Sequence, residues 1–150
     1  TIDTAFLATA SADGQPYVQH RGGPRGFLRV MGESTIAFAD FAGNKQFVTT
    51  GNLAENDRVC LLAMDYAQRA RVKIWGRAHI VPATPELVAL VGDPSYRARV
   101  EQIVVIEVEA WDANCPQHIP RLVRASALVD LVRRRRRAAR RRLALARRRR

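Results

Sequence analysis

Apolar and polar residues alternate along most of the chain up to about residue 110, and turn-forming residues interrupt this alternation at short intervals. Alternation with a period of two is typical of β-strands whose two faces meet different surroundings. The dipeptide Asp13-Gly14 supplies the positive-φ chemistry of a tight hairpin turn. We predict an antiparallel, mainly β domain of about six or seven strands, which cover residues 4–10, 16–21, 57–66, 70–81 and 102–110 and the segments FLRVM and TIAFAD.

Two short helices are predicted between the strands. Residues 45–54 follow the loop DFAGN, in which Asn44 can cap the helix start. Residues 84–92 begin with a threonine cap, continue with a proline in the first turn and end at a glycine. A closed or nearly closed barrel suits this number of strands, because closure removes exposed sheet edges.

The positive charge of the chain is concentrated at its C-terminal end. Residues 133–150 hold 12 arginines and no acidic residue, which leaves 13 basic and 14 acidic side chains in the rest of the chain. We therefore predict one folded domain over residues 1–122 and an arginine-rich tail over residues 123–150 that is disordered or helical. The tail could bind nucleic acid through its charge, but its arginine run carries no aromatic residue on which bases stack. We do not expect nucleic acid to be the main partner.

Apolar runs and cysteines limit the class of protein further. No apolar run approaches the ~20 residues that span a bilayer. Cys60 and Cys115 are far apart and form no CxxC pair. We expect no membrane contact, no bound metal and a reducing, cytoplasmic setting. Because the chain passes from Thr1 almost directly into a strand, we also expect that a short N-terminal segment precedes it.

Polar residues interrupt the apolar pattern at the end of the second strand, in the segment Gln19-His20-Arg21-Gly22-Gly23. The three polar side chains supply donors for carbonyl groups, ring nitrogens or phosphate. Two adjacent glycines at a strand end let a flat ligand or another backbone come close. A bulge followed by a loop with solvated side chains is the alternative interpretation.

A lysine lies after the strand TIAFAD, at the start of the predicted helix, in the segment Asn44-Lys45-Gln46. The helix dipole disfavours a cation in the first turn, unless an anion binds there to the backbone N–H groups and the lysine together. An ordinary surface lysine is the alternative.

A third basic segment lies in the strand over residues 70–81. Alternation places Arg71, Lys73, Trp75 and Arg77 on one face of this strand. Like charges at this spacing repel unless an anion such as phosphate lies between them. A solvated outer face is the competing interpretation.

Together the three segments describe a ligand that is flat and anionic at one end, which a phosphorylated flavin matches. Four strings resemble, in order, parts of the pyridoxamine 5'-phosphate oxidase-like family of FMN-binding split β-barrels: FLATASADGQPYVQHRGG, IAFADFAGNKQ, RARVKIWGRAHIV and VVIEVEAWDANCPQHI. The resemblance spans about residues 3–122. It implies a split barrel, a homodimer with two FMN sites at the subunit interface, and a small-molecule substrate.

The resemblance also implies which residues bind the cofactor. The strand from Gln19 to Gly22 would lie along the flavin, and the loop from Asn44 to Gln46 would meet its phosphate. Trp111, Asn114 or His118 would lie near the flavin edge. The expected FMN-binding residues are Gln19, His20, Arg21, Gly22, Gly23, Asn44, Lys45, Gln46, Arg71, Lys73, Trp111 and His118, of which Arg71 and Lys73 often act across the interface.

The expected activity is two-electron transfer from a substrate through FMN to oxygen or another acceptor. The flavin ring performs this chemistry, so no catalytic side chain is assigned. A non-catalytic flavin or haem carrier on the same barrel is the alternative, with His20, His79 or His118 as haem ligands. A deazaflavin could also replace FMN.

The sequence departs from the family at both ends. The resemblance leads us to expect an N-terminal helix before the first strand, which residues 1–3 do not contain, and an acidic, helical ending after about Leu122, where an arginine run stands instead.

Overall fold

The computed structural model describes residues 2–114 and 116–147. Its elements are β1 (Thr4–Ala10), β2 (Pro16–Gly22), β3 (Arg29–Val30), β4 (Thr35–Phe41), α1 (Val48–Glu55), β5 (Arg58–Asp65), β6 (Ala70–Pro82), α2 (Pro85–Val91), β7 (Val100–Asn114) and α3 (Ala125–Arg147). The strands form one antiparallel sheet in the order β2-β1-β5-β6-β7-β4-β3. The end strands β2 and β3 do not pair with each other, so the curled sheet does not close into a complete barrel. The predicted mainly β, split-barrel fold is confirmed.

The predicted strands all have counterparts, although β3 is shorter and β7 is longer than the sequence pattern indicates. β7 continues past Ala110 because a bulge hides its alternation: Trp75 pairs with Ala110 and Gly76 with Val108, which leaves Glu109 as the extra residue. One extra residue shifts the alternation of apolar and polar residues by one position, so the alternation breaks off at the bulge although the strand continues.

The hairpin between β1 and β2 has the predicted turn. Gly14 has a φ of +90°, which a residue with a side chain rarely adopts. The Ser11 hydroxyl donates a hydrogen bond to the Asp13 carboxylate, and this bond is the main cause that lowers the pKa of Asp13 below its usual value.

The main core lies on the inner face of the curled sheet. Ala5 and Leu7 are fully buried there, whereas Phe6 between them points to the outer face. Leu7 belongs to the same buried cluster as Leu61 and Phe38. Each side chain of this size contributes about 2 kcal/mol when it is buried.

Helix α1 begins three residues later than predicted, at Val48, and its N-cap residue Phe47 makes no side-chain capping bond. The prediction that Asn44 caps the helix and that Lys45 lies in its first turn is wrong. The Asn44 side chain instead accepts a hydrogen bond from the Gln46 backbone N–H, and Lys45 has a left-handed φ of +57°. Asparagine side chains readily form such local turns, which compete with helix formation.

Helix α2 agrees with the prediction at both ends. The Thr84 hydroxyl accepts a hydrogen bond from the Leu87 backbone N–H, Pro85 is the first helical residue, and the helix ends at Gly92.

The tail is helical where it is described. Arg124, just before α3, forms an ion pair with Asp3, which precedes β1. No helix of the described ranges is both long and apolar enough to cross a membrane. The expectations about Thr1 and Cys115 concern residues outside these ranges, and the division of the chain at residue 122 stays a prediction.

The bulge provides a test of the fold. Gly76→Ala is expected to destabilise the domain by about 3 kcal/mol, because the added Cβ would lie 2.0 Å from the backbone oxygen of Glu107. Gly51→Ala in α1 is the matched control: no atom lies within 4 Å of that Cβ, and alanine favours a helix by roughly 0.5–1 kcal/mol. Urea unfolding measures both. Equal stability of Gly76→Ala and the wild type would contradict the bulge.

Candidate functional site

The two ends of the sheet approach each other, and a cavity of about 550 Å³ lies between them. Its wall includes residues 19–23 from β2 and the following turn, residues 38–41 from β4, residues 43–44 and Tyr96. A smaller cavity adjoins it beside residues 43–47 and the first turn of α1. We call the two together the seam cavity.

A partly buried ion pair crosses the seam. Nη1 of Arg21 lies 2.5 Å from Oδ1 of Asp40, and the two side chains are 10% and 17% exposed. Nη2 of Arg21 donates to Oε1 of Gln19 at 2.9 Å. The Nε atom of Arg21 is buried and has no hydrogen-bond partner in the described chain. A buried donor without an acceptor is costly to a fold, so the chain's own contacts leave one polar group of the pair unsatisfied.

Polar contacts from two further elements hold the pair in place. Oδ2 of Asp40 accepts a hydrogen bond from Nε2 of Gln102 at 3.0 Å, and the same amide donates to Oγ1 of Thr50. Oγ1 of Thr49 donates to Oε1 of Gln19 at 2.8 Å. The network therefore joins β2, β4, β7 and α1 around one cavity wall.

The loop before α1 presents a lysine to the smaller part of the seam cavity. Lys45 is exposed and forms no ion pair within the part of the chain that is described. The chain's own fold therefore leaves its charge available to an anion, although the lysine lies before the helix and not in its first turn.

The paired glycines have a different role from the one expected. A Cβ on Gly22 would lie 2.9 Å from the His20 imidazole, and a Cβ on Gly23 would lie 2.9 Å from the Cβ of Phe27 and 3.2 Å from the Phe41 ring. The space beside both glycines is thus filled by the chain's own side chains, although both residues line the seam cavity.

The basic residues of β6 lie outside the seam cavity. Lys73 pairs with Asp112 at 3.3 Å and lies over the Trp75 ring, while Arg77 pairs with two carboxylates, those of Asp57 and Glu109. The argument that Lys73 and Arg77 need an external anion is therefore wrong, because neighbouring strands supply the negative charge. Arg71 differs, since its Nε atom is buried and unpaired within the described ranges.

Sheet register separates these residues from the seam. His20, Phe6, Leu62 and Lys73 stand in one row across β2, β1, β5 and β6. Three strand spacings place Lys73 roughly 14 Å from His20. Within one chain, Arg71 and Lys73 therefore belong to a second group of candidate residues.

The residues expected near the flavin edge also lie apart from the seam. Trp111 is 69% exposed, and it pairs with Ile74 whereas Lys73 pairs with Asp112, so Trp111 and Lys73 occupy opposite faces. His118 is exposed and has a φ of +62°. Neither residue lines the seam cavity. The side chain of Asn114 lies outside the described part of the structure.

Of the three histidines considered as haem ligands, His20 lines the seam cavity, where its ring contacts Phe6 edge-on. His79 and His118 are exposed elsewhere. No cluster of three or more His, Cys, Asp or Glu side chains that could bind a metal occurs among the residues described.

Cys60 lies on the outer face of β5 and is a free thiol. Burial raises its pKa above the usual value, and the positive charge of Lys73 opposes this shift only in part. The thiol is therefore held in its protonated form at neutral pH.

Sequence reasoning missed Asp40, Thr49, Thr50 and Gln102. Asp40 gives a signal, since it is the one charged residue of the strand TIAFADF. The other three side chains are ordinary polar residues whose importance depends on contacts between elements far apart in the sequence.

A family comparison decides how the chain is classified. The family model described as pyridoxamine 5'-phosphate oxidase matches residues 1–115. This chain belongs to the pyridoxamine 5'-phosphate oxidase family. No curated protein matches it.

Solved structures of this family's fold are similar to the chain at low sequence identity. HupZ of Group A Streptococcus is 17% identical, with a TM-score of 0.56 over 81% of this chain and 90% of that one. An FMN-binding protein from Syntrophomonas wolfei is 14% identical, with a TM-score of 0.56 over 80% and 78%. A candidate pyridoxamine 5'-phosphate oxidase from Lactobacillus delbrueckii is 21% identical, with a TM-score of 0.51 over 73% and 84%. At these identities the likeness shows a shared fold.

The polar network around the seam cavity can be tested by stability. Thr49→Val is expected to cost about 1 kcal/mol, because it removes a buried hydrogen bond to Gln19 with little change in side-chain volume. Thr35→Val is the matched control, since its hydroxyl bonds to Glu107 at the surface. Thermal unfolding measures both variants. Equal losses of unfolding free energy at the two positions would show that the hydrogen bond in the seam network stabilises the fold no more than a surface hydrogen bond does.

Proposed function

We propose that this chain binds FMN in the seam cavity and works as a flavin-dependent oxidoreductase on a small-molecule substrate. The observation that carries the proposal is that the fold brings residues 19–23 of β2 and its turn together with Asn44, Lys45 and Gln46 around one cavity. These are two of the three segments that the sequence assigns to a flat, anionic ligand. Membership of the family supports the same conclusion.

The donor set of the cavity fits a phosphorylated flavin. Gln19 and Arg21 line the cavity with polar side chains that can bind a ring carbonyl or nitrogen. Lys45 offers its charge to a phosphate in the smaller part of the cavity. FMN would supply the redox chemistry when bound, while Gln19, Arg21 and Lys45 bind and orient it.

We further propose that the working form is a homodimer. The outer face of the sheet carries apolar side chains in a row that includes Val18 and Trp75, which are 59% and 39% exposed, with Ala8 and Cys60 between them. Covering such a face removes apolar surface from water. In this dimer, Arg71 and Lys73 of one chain would act across the interface on the FMN bound by the other. The free Cys60 thiol suits a reducing compartment such as the cytoplasm.

Cofactor binding is tested by absorption after FMN is added and the excess removed. We expect retained bands near ~450 nm, a Lys45→Ala variant that binds FMN roughly tenfold more weakly, and unchanged riboflavin binding by that variant because riboflavin has no phosphate. Arg58→Ala, at an exposed position outside the seam cavity, is the control.

A Soret band in the purified protein would favour a haem carrier with His20 as a ligand over the oxidoreductase. Absence of any retained flavin, in a folded protein that retains a deazaflavin instead, would replace FMN by that cofactor. Retention of neither would contradict the proposal.

The dimer is tested by light scattering during size-exclusion chromatography. The wild type is expected at twice the chain mass of 16.8 kDa. Trp75→Glu is expected to give monomers and to weaken FMN binding, because a carboxylate would be buried in the apolar interface. Val30→Glu, at an exposed position of edge strand β3, should remain dimeric. A monomeric wild type, or a dimeric Trp75→Glu, would refute this interface.

A further inference from the structure

Asp40 and Arg21 join β4 and β2, two strands that share no backbone ladder. We propose that Asp40 is a positioning residue: it fixes the Arg21 guanidinium in the wall of the seam cavity and, by neutralising its charge, sets the redox potential of the flavin bound there. The inference rests on the FMN binding proposed above and adds a residue that the sequence did not assign to the site.

The orientation of Arg21 is held at both ends of its guanidinium. Asp40 accepts from Nη1 and Gln19 accepts from Nη2, so rotation about the side chain would break one of two bonds. A third donor, Nε–H, is buried without a partner in the described structure. The two bonds therefore hold the guanidinium in one orientation in the cavity wall, and removal of Asp40 would release its contact with β4.

The position of Asp40 is itself set by its surroundings. The register of β4 against β7 shifts between Asp40 and Phe41, and such irregularities commonly redirect a side chain at the rim of a barrel. Gln102, opposite Asp40 in the register, donates to its second oxygen. Both carboxylate oxygens are thus engaged, which keeps the group in one rotamer.

The negative charge of Asp40 would also affect the redox potential of the bound flavin. Reduction of a flavin by two electrons with uptake of one proton leaves a negative charge on its ring, and a nearby cation stabilises that charge. Arg21 paired with Asp40 is neutral as a unit. Loss of the Asp40 charge would leave a buried cation that favours the reduced flavin, whereas loss of the Arg21 charge would leave a buried anion that disfavours it.

Other charged side chains near the cavity do not alter these signs. Asp3 pairs with Arg124, and Glu101 pairs with Arg99. Lys45 lines the smaller part of the seam cavity. All five keep their charges in the variants described below.

The test is a spectroelectrochemical titration of the FMN-loaded protein at one fixed pH. Asp40→Asn is expected to raise the affinity for reduced relative to oxidised FMN about tenfold, which is an upward shift of about 30 mV for a two-electron couple. Arg21→Gln is expected to shift the potential downwards by a similar amount. The double variant, neutral again, should return close to the wild type.

Asp57→Asn is the control, because Asp57 belongs to the exposed ion pair with Arg77, and its potential should not move. If Asp40→Asn does not fold, the downward shift of Arg21→Gln and its reversal in the double variant still decide the matter. Retained FMN with potentials unmoved in all variants, or single variants shifted in the same direction, would overturn this inference alone. A wild type that binds no flavin would overturn the proposed function and this inference with it.

Discussion

Arg21 of β2 and Asp40 of β4 meet at 2.5 Å across the gap between the two ends of the sheet, where the strands share no ladder of backbone hydrogen bonds. Removing one partner would leave the other charge without its counter-charge in a partly buried position. The pair connects the two ends of the sheet and forms part of the cavity wall. Gln19, Thr49 and Gln102 take their positions from it, so the cavity, α1 and the start of β7 form one polar assembly.

The inner and outer faces of the sheet have different roles. The inner face buries residues such as Leu7 and Leu61 and supplies the stability. The outer face combines exposed apolar side chains with a row that ends in the ion pair of Lys73 and Asp112. Arg71 lies on the same face with a buried Nε that lacks an acceptor among the described residues. A single chain thus holds one group of candidate ligand contacts at the seam and a second on a face that the proposed dimer would cover.

Strand positions could be predicted from the sequence because alternation and turns such as Asp13-Gly14 are local signals. The same local reasoning failed at α1, where the Asn44 side chain forms a turn before the helix. It also failed for Lys73, whose carboxylate partner is set by the register of β6 against β7. The contact between Arg21 and Asp40 could not be predicted at all, since it depends on how far the sheet curls. Residues 19–23 and 44–46 line the seam cavity, and their role in binding FMN stays a prediction.

The bulge at Gly76 has a consequence for ligand size. The seven strands form one continuous ladder, so curvature introduced between β6 and β7 is carried to both edges and determines how closely β2 approaches β4. A side chain at position 76 would meet the Glu107 carbonyl oxygen, so the two strands would have to shift there. Such a shift would change how closely β2 approaches β4 without any change in the residues that line the seam. The breadth of ligand that the cavity admits therefore depends on a residue that lies outside it.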